Sequence, residues 1–164
     1  MHSACGRWYL FFTIEKSYTS TMYHIVVRTH SSERTIPEEH ERDLYAFVMG
    51  VVDHVGGKLY RIGGMPDHVH LFLSLPANLS MSDFVQRMKT ATSKWLKGNP
   101  DFPRWNGWSK EYAGFSYSVR EKDMVVNYIR NQKEHHRRMT FAEEYRAFLE
   151  ENGLEVDERF FMKD

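Results

Sequence analysis

The chain has 164 residues, a size typical of one domain with its own hydrophobic core. Its single cysteine, Cys5, excludes a fold held by internal disulfides, and no apolar run approaches the roughly 18 residues that cross a membrane. The net charge is formally zero, which by itself gives no sign of a phosphate-binding surface. Residues 1–17 carry no signal-peptide pattern, so we expect an N-terminal extension, then one domain over residues 18–164, in the cytoplasm.

The zero net charge conceals an uneven distribution along the chain. Residues 86–138 hold twelve Lys and Arg against five Asp and Glu, whereas residues 139–164 hold three against eight. The basic stretch is interleaved with aromatic residues, which can stack on unpaired bases while the cations bind phosphates. A solvated charged face beside ordinary core aromatics would give the same pattern. The aromatic residues are Trp95, Trp105, Trp108, Tyr112, Phe115 and Tyr117.

The first elements in chain order are a strand and a helix. Residues 23–28 are rich in β-branched and aromatic side chains and predict a strand. Pro37, followed by several glutamates, opens a helix with an apolar side that ends at Gly56-Gly57. The polar segment 29–35 between them predicts a loop.

A hairpin with two histidines follows the first helix. Residues 58–62 and 67–75 predict a second and a third strand, joined through turn residues 63–66. The period of two in the third strand places His68 and His70 on one face. The aliphatic residues Val69, Leu71, Leu73 and Leu75 lie on the other.

The second half of the chain contains three pairs with the spacing of a capping box, in which a Ser or Thr precedes an acidic residue by three positions. The helices that they open end near residues 98, 138 and 153, and residues 112–119 predict a fourth strand between the first two. The pairs are Ser80 with Asp83, Ser118 with Glu121, and Thr140 with Glu143.

The predicted elements follow the order β, α, β, β, α, β, and two further helices come after them. This order predicts an α+β fold. It is the ferredoxin-like split βαββαβ arrangement, with an antiparallel sheet and C-terminal helices. The two crossover helices should cover the aliphatic face of the sheet, which leaves His68 and His70 on the other face. That face is open unless the C-terminal helices or a partner cover it. Neutral imidazoles side by side on a rigid strand can converge on one metal ion.

The helix predicted over residues 119–138 offers further polar groups. Tyr128 and Gln132 lie four residues apart and share one stripe of the helix, which His135 and His136 continue one turn later. A phenol, a carboxamide and imidazoles on one face could complete a site. Tyr128 could equally be a core aromatic, Gln132 could face solvent, and the histidines could add favourable charge at a helix C-terminus.

Four segments carry a more specific pattern. They are Gly63-Gly64-Met65-Pro66-Asp67-His68-Val69-His70 with Leu71-Phe72-Leu73, then Lys89 with Ser93-Lys94-Trp95, then Gly114-Phe115-Ser116, and finally Tyr128-Ile129-Arg130-Asn131-Gln132 with Glu134-His135-His136. In this order the chain, from about residue 18 to near residue 160, resembles the single-tyrosine transposases of the HUH superfamily. These mobilise small bacterial insertion sequences and have domesticated relatives associated with REP palindromes.

The resemblance implies a metal-dependent reaction on DNA. Tyr128 would be the nucleophile that forms a 5′-phosphotyrosine and frees a 3′ hydroxyl. His68 and His70 would bind Mg²⁺ or Mn²⁺, with Gln132 as a third ligand. Because these donors are soft for Mg²⁺, phosphate and water would complete the shell. We expect Asp67 to be a turn residue or to support the ligands from behind, and His136 either to orient Gln132 or to contact DNA.

The implied partner is single-stranded or hairpin DNA, because a strand-cleaving tyrosine needs access to a distorted backbone. The resemblance also implies a homodimer in which the tyrosine helix of one subunit completes the histidine site of the other. The basic residues that we expect to contact phosphates are Lys89, Lys94, Arg130, Lys133, Arg137 and Arg138.

Three other functions would use part of the same pattern. An HUH nickase of the replication-initiator or relaxase type would share the chemistry, but the chain has no room for a helicase domain. A histidine-triad hydrolase needs a third alternating histidine where Phe72 stands. A domesticated protein that binds hairpin DNA without transposition would need the basic, aromatic middle but not Tyr128.

Overall fold

The computed structural model describes residues 18–164, and its centre is a four-stranded antiparallel sheet. The predicted extension over residues 1–17 lies outside the described residues. The strands are β1 (Met22–Arg28), β2 (Lys58–Met65), β3 (His68–Ser74) and β4 (Ala113–Tyr117). Their order in the sheet is β2-β3-β1-β4, so both hairpin strands and both crossover connections lie where the ferredoxin-like prediction puts them.

Five α-helices and three short 3₁₀ turns accompany the sheet in the described part of the chain. The helices are α1 (Glu41–His54), α2 (Met81–Leu96), α3 (Lys122–Arg130), α4 (Gln132–His135) and α5 (Phe141–Glu151), and the turns are His30–Ser32, Glu38–His40 and Val119–Glu121. Two predicted capping boxes are complete, at Ser118 with Glu121 and at Thr140 with Glu143. At α2, the Ser80 side chain accepts a hydrogen bond from the Asp83 backbone N–H.

The two faces of the sheet are buried against different helices. On one face, Ile25, Val69 and Leu71 pack against residues of α1 and α2, such as Leu44 and Phe84. On the other face, aromatic and aliphatic residues of β1, β3 and β4 pack against α3 and α5. The sheet is therefore sandwiched between two layers of helices, and its second face is closed within one chain.

Two predicted boundaries were wrong. Residues 63–65 were predicted to be turn, but they continue β2 and pair with β3 as far as His68, so the turn is Pro66-Asp67 alone. Glycines suit this stretch because α3 packs directly on it: a Cβ on Gly63 would lie 2.9 Å from the Ile129 carbonyl oxygen. The single helix predicted over residues 119–138 is broken at Asn131 into α3 and α4.

The C-terminal residues return to the centre of the sheet. The buried guanidinium of Arg28, in β1, donates hydrogen bonds to Oδ2 of Asp164 at 3.3 Å and to the carbonyl oxygen of Lys163 at 3.1 Å. The Asp164 carboxylate also accepts a hydrogen bond from the Ser31 backbone N–H. These contacts fasten the segment after α5 across the face of the sheet that carries the histidines.

Candidate active site

The histidine pair of β3 lies at the bottom of the second face. His68 and His70 are both 0% exposed. The ring of Phe141, the first residue of α5, stacks on the His68 ring with centroids 4.0 Å apart. The C-terminal helices of the same chain therefore cover this face. The sequence left two ways to cover it, these helices or a partner, and the structure shows the first.

The outer nitrogen of each imidazole is held by a polar neighbour. Asp67 Oδ1 lies 2.7 Å from Nδ1 of His68, and His24 Nε2 lies 2.8 Å from Nδ1 of His70. Such contacts fix the orientation of a ring and leave its Nε2 to face the centre of a site. His24 was not among the predicted site residues. Its place in β1, on the same face as Val26 and Arg28, agrees with the alternation of that strand.

The group at the centre is a carboxylate that was not predicted. Glu144, in α5, is 2% exposed. Its Oε2 lies 3.6 Å from Nε2 of both His68 and His70, and 2.9 Å from Nε2 of His136. Its Oε1 accepts hydrogen bonds from the Tyr128 hydroxyl and, at 2.9 Å, from Nε2 of Gln132.

A sequence signal for Glu144 was present in α5. Phe141, Tyr145 and Phe148 form the apolar stripe that packs onto the sheet, and Glu144 occupies the same stripe. A carboxylate on the buried side of a helix needs partners.

The predicted residues of the 119–138 segment do reach the histidines. Oε1 of Gln132 lies 3.5 Å from Nε2 of His68 and 3.1 Å from Nε2 of His136. The other nitrogen of His136, Nδ1, lies 3.0 Å from the Met139 carbonyl oxygen. Gln132 is buried and is the first residue of α4, directly after the break at Asn131.

Tyr128 lies at the edge of this cluster. Its ring is half-buried, packs edge-on against Phe148 at 5.3 Å between centroids, and lies 6.1 Å from the His70 ring. The tyrosine and both histidines belong to the same chain, so one subunit brings them together in cis. The predicted dimer with a trans site stays a prediction.

The surroundings shift the acid–base properties of these groups. Burial lowers the pKa of His70 to about 4, despite the opposing effect of Glu144, and burial followed by the influence of His70 lowers the pKa of His24. Burial alone would raise the pKa of Glu144, but His136, His70 and Tyr128 together hold it well below its usual value. Burial and then the Glu144 charge raise the pKa of Tyr128. Burial alone would lower the pKa of His136, but the hydrogen bond and the charge of Glu144 raise it. Near neutral pH the cluster therefore contains neutral His24 and His70, an ionised Glu144 and a protonated Tyr128.

The donor set fits a divalent cation. Ligand atoms of His68, His70, His136 and Glu144 all lie within 4.8 Å of one another. Neutral imidazole nitrogens and carboxylate or carboxamide oxygens suit Mn²⁺ and related ions. Nε2 of His70 is buried and has no hydrogen-bond partner among residues 18–164. A buried nitrogen without a partner is costly, and a bound cation would satisfy it.

Two cavities with basic walls flank the site. One, of about 440 Å³, is lined by Arg34, Arg137 and Arg138 and reaches Asp67 and His136. The other, of about 360 Å³, is lined on the opposite side of α4 by four basic residues, together with Gly63, Gly64 and Gln132. The basic residues of the second cavity are Arg42, Arg61, Arg130 and Lys133.

The predicted DNA contacts fall into two groups. Arg130, Lys133, Arg137 and Arg138 line these cavities, although Lys133 also forms ion pairs with Glu38 and Glu41. The other two belong to α2, on the opposite side of the sheet. Lys94 is exposed there, whereas Nζ of Lys89 donates hydrogen bonds to the carbonyl oxygens of Ser109 and Glu111, both at 2.8 Å.

The family model of IS200-like transposases matches residues 17–132 of this chain. The match contains β1 to β4, Tyr128 and Gln132, and it ends before His136 and α5. Among curated proteins, none matches the chain. Within the part of the chain that the structure describes, no helix combines the length and the apolar character needed to span a membrane.

The solved structures that are similar to this one include two transposases. A candidate transposase from Deinococcus radiodurans R1 has 25% sequence identity and a TM-score of 0.56, over 71% of this chain and 95% of that one. A REP-associated tyrosine transposase bound to a REP hairpin has 13% identity and a TM-score of 0.57, over 74% of each chain. The second likeness is one of fold.

Proposed function

Because this chain belongs to the IS200-like transposase family, we propose that it cleaves and rejoins single-stranded or hairpin DNA through a covalent bond to Tyr128. The family supports a DNA-cleaving and strand-transferring enzyme, and the proposal adds the residues and the mechanism. The observation that carries it is the meeting of Tyr128, Gln132, His68 and His70 in one buried cluster, although up to 64 residues separate them in sequence.

In the proposed reaction, the Tyr128 oxygen attacks the phosphorus of a DNA phosphodiester. A bond from that oxygen to phosphorus forms, and the bond from phosphorus to the 3′ oxygen breaks. The products are a 5′-phosphotyrosine and a 3′ hydroxyl, which takes up a proton. Attack of a 3′ hydroxyl on the phosphotyrosine reverses the step and joins strands without an external energy source, because the phosphodiester is conserved.

The chain's own residues prepare this step. Tyr128 must lose its proton, and the nearest acceptor is the Glu144 carboxylate, to which its hydroxyl already donates a hydrogen bond. His68, His70 and Gln132 would hold Mg²⁺ or Mn²⁺, while Asp67 and His24 orient the two histidine rings. When bound, such a cation supplies Lewis-acid polarisation of the phosphodiester and stabilises the leaving oxygen.

The DNA strand would approach along the basic cavities. Arg137 and Arg138 line the cavity at His136, and Arg130 lines the cavity on the other side of α4. The space next to Tyr128 itself is only about 110 Å³ and is bounded by Glu144 and Phe148 of α5. We therefore include in the proposal that α5 shifts outward when a strand enters.

The test is a covalent adduct with hairpin DNA. The protein is incubated with a DNA hairpin that carries single-stranded flanks, labelled at the 3′ end in one sample and at the 5′ end in another, with Mn²⁺ or Mg²⁺. We expect an adduct that survives a denaturing gel and carries the 3′-end label only, since tyrosine keeps the 5′ phosphate. Tyr128→Phe should abolish it, whereas Tyr23→Phe, on the α1 and α2 side of the sheet, should leave it intact.

Hairpin binding without an adduct under either metal would contradict the proposal. It would favour a DNA-binding protein without strand cleavage. That alternative has one supporting observation, namely that both β3 histidines are fully buried in the protein without DNA. An adduct that carries the 5′-end label would instead contradict the proposed polarity.

A further inference from the structure

Helix α5 brings a charged group to a site that the family pattern builds from β3 and the tyrosine helix. The helix begins at a complete capping box, and Phe141, Tyr145 and Phe148 anchor it on the sheet. This anchoring places Glu144 over the histidine pair, in a stretch outside residues 17–132 that match the family model. The burial of a carboxylate costs free energy unless charge and hydrogen bonds compensate, so its position requires an explanation.

The two oxygens of Glu144 face different groups. Oε1 accepts the hydrogen bonds of Tyr128 and Gln132. Oε2 lies 2.9 Å from Nε2 of His136 and 3.6 Å from the Nε2 atoms of both His68 and His70. Two donor atoms that share one ion at about 2.1 Å lie about 3–3.4 Å apart. The observed spacing is close to that of ligands around a common cation.

Both histidines present the correct nitrogen for this arrangement. Their Nδ1 atoms are engaged by Asp67 and His24, so the inner Nε2 atoms are the ones available to an ion. Nε2 of His70 has no hydrogen-bond partner among the described residues, and its residue is fully buried. This unsatisfied nitrogen is buried and lies 3.6 Å from Oε2 of Glu144.

We propose that Glu144 is a protein ligand of the divalent cation in the DNA-free protein, binding through Oε2 alongside His68 and His70. This inference rests on the proposed histidine metal site and adds an anionic ligand from α5 to it. Two imidazoles and a carboxylate favour Mn²⁺ over Mg²⁺, which prefers a shell of oxygen atoms. Through Oε1, the same carboxylate ties the position of Tyr128 to the metal site.

The test measures metal binding rather than catalysis. Mn²⁺ alone is titrated into the full chain without DNA, by calorimetry and by loss of the electron paramagnetic resonance signal of free Mn²⁺. We compare Glu144→Gln with Glu150→Gln, which removes one charge from the exposed side of the same helix. Glu144→Gln should weaken Mn²⁺ binding by at least about tenfold, since even residues that only orient ligands change affinity by about 10–100-fold. Glu150→Gln should bind like wild type.

Two further variants keep the result interpretable. Glu144→Asp retains the charge but withdraws the oxygens by one methylene, so it should also weaken Mn²⁺ binding. It replaces Glu144→Gln in the comparison if that variant does not fold. His70→Ala tests the histidine site itself. Loss of binding in His70→Ala with unchanged binding in Glu144→Gln and Glu144→Asp would overturn the role of Glu144 and leave the histidine site standing. Unchanged binding in His70→Ala would overturn the histidine site and, with it, this inference.

Discussion

At the scale of single residues, the site depends on buried polar side chains that are held by polar neighbours. His68 is held by Asp67, His70 by His24, and Gln132 bridges His136 and Glu144. Buried polar groups of this kind are expensive when one partner is removed. These contacts therefore hold the candidate ligands in place in the DNA-free protein, as a preorganised site requires.

Gly63 is a residue-scale test of how the tyrosine helix is positioned. In Gly63→Ala, the new Cβ would lie 2.9 Å from the Ile129 carbonyl oxygen and 3.1 Å from its Cγ2, so α3 would have to shift. We expect the free energy of unfolding to fall by about 1–3 kcal/mol, the usual cost of overpacking. Chemical denaturation measures it.

Gly50→Ala is the matched control for that substitution. Gly50 lies within α1, where a Cβ meets nothing within 4 Å. The change should therefore raise the free energy of unfolding by about 0.5–1 kcal/mol, through helix propensity. Equal effects of the two substitutions would contradict close packing of α3 on β2.

The residues of the site differ in how far the sequence could predict them. His68 and His70 are visible from strand alternation, and Tyr128 with Gln132 from helical spacing joined to a family resemblance. The spacing of α5 marks Glu144 as a buried carboxylate but does not place it over the histidines, and the role of His24 has no local signal. Both roles depend on the register of β1 against β3 and on where α5 packs. Both are tertiary facts that a local pattern does not contain.

At the scale of elements, capping and turn signals located most helices and strands. Ser80, Ser118 and Thr140 each mark a helix start that the structure contains. The signals failed where packing overrode them: Gly63 and Gly64 read as a turn, yet they pair with β3 under α3. The break at Asn131, directly before Gln132, also has no strong local signal.

The start of α5 is testable at this scale. The Thr140 hydroxyl accepts a hydrogen bond from the Glu143 backbone N–H, while the Glu143 carboxylate accepts from the Thr140 N–H at 2.8 Å. Thr140→Ala should lower the free energy of unfolding by about 1 kcal/mol, because it leaves the helix start without its cap. Thr140→Ser keeps the hydroxyl and should be close to wild type. If Thr140→Ala had the same free energy of unfolding as wild type, the prediction would be wrong, and the apolar residues of α5 would hold the helix without its cap.

At the scale of the whole molecule, the net charge is zero, but basic residues are concentrated on the surface beside the site. Arg34, Arg137 and Arg138 surround one side of the site, and Arg130 belongs to the other. The acidic C-terminal segment contributes its buried carboxylate to the site and points most of its other charges to solvent. Formal neutrality is therefore compatible with a phosphate-binding face.

The salt dependence of DNA binding tests this surface. Replacing both Arg137 and Arg138 by Ala should weaken binding of single-stranded or hairpin DNA and reduce the slope of log K against log salt by about 1–2, since each phosphate contact contributes about 0.7–0.9. Binding titrations at several salt concentrations measure the slope. Arg146→Ala on α5, whose guanidinium pairs with Glu158, is the control and should leave the slope unchanged. A slope that the double variant does not alter would place the DNA elsewhere.

The most direct test of the account is the chemical identity of the protein–DNA bond. Tryptic peptides of the adduct, formed on hairpin DNA with Mn²⁺ and then digested with nuclease, are analysed by mass spectrometry. We predict that the mass of a 5′-phosphorylated nucleotide lies on Tyr128. The same mass on another residue, or on no residue while the DNA is cleaved, would contradict the claim that Tyr128 is the nucleophile.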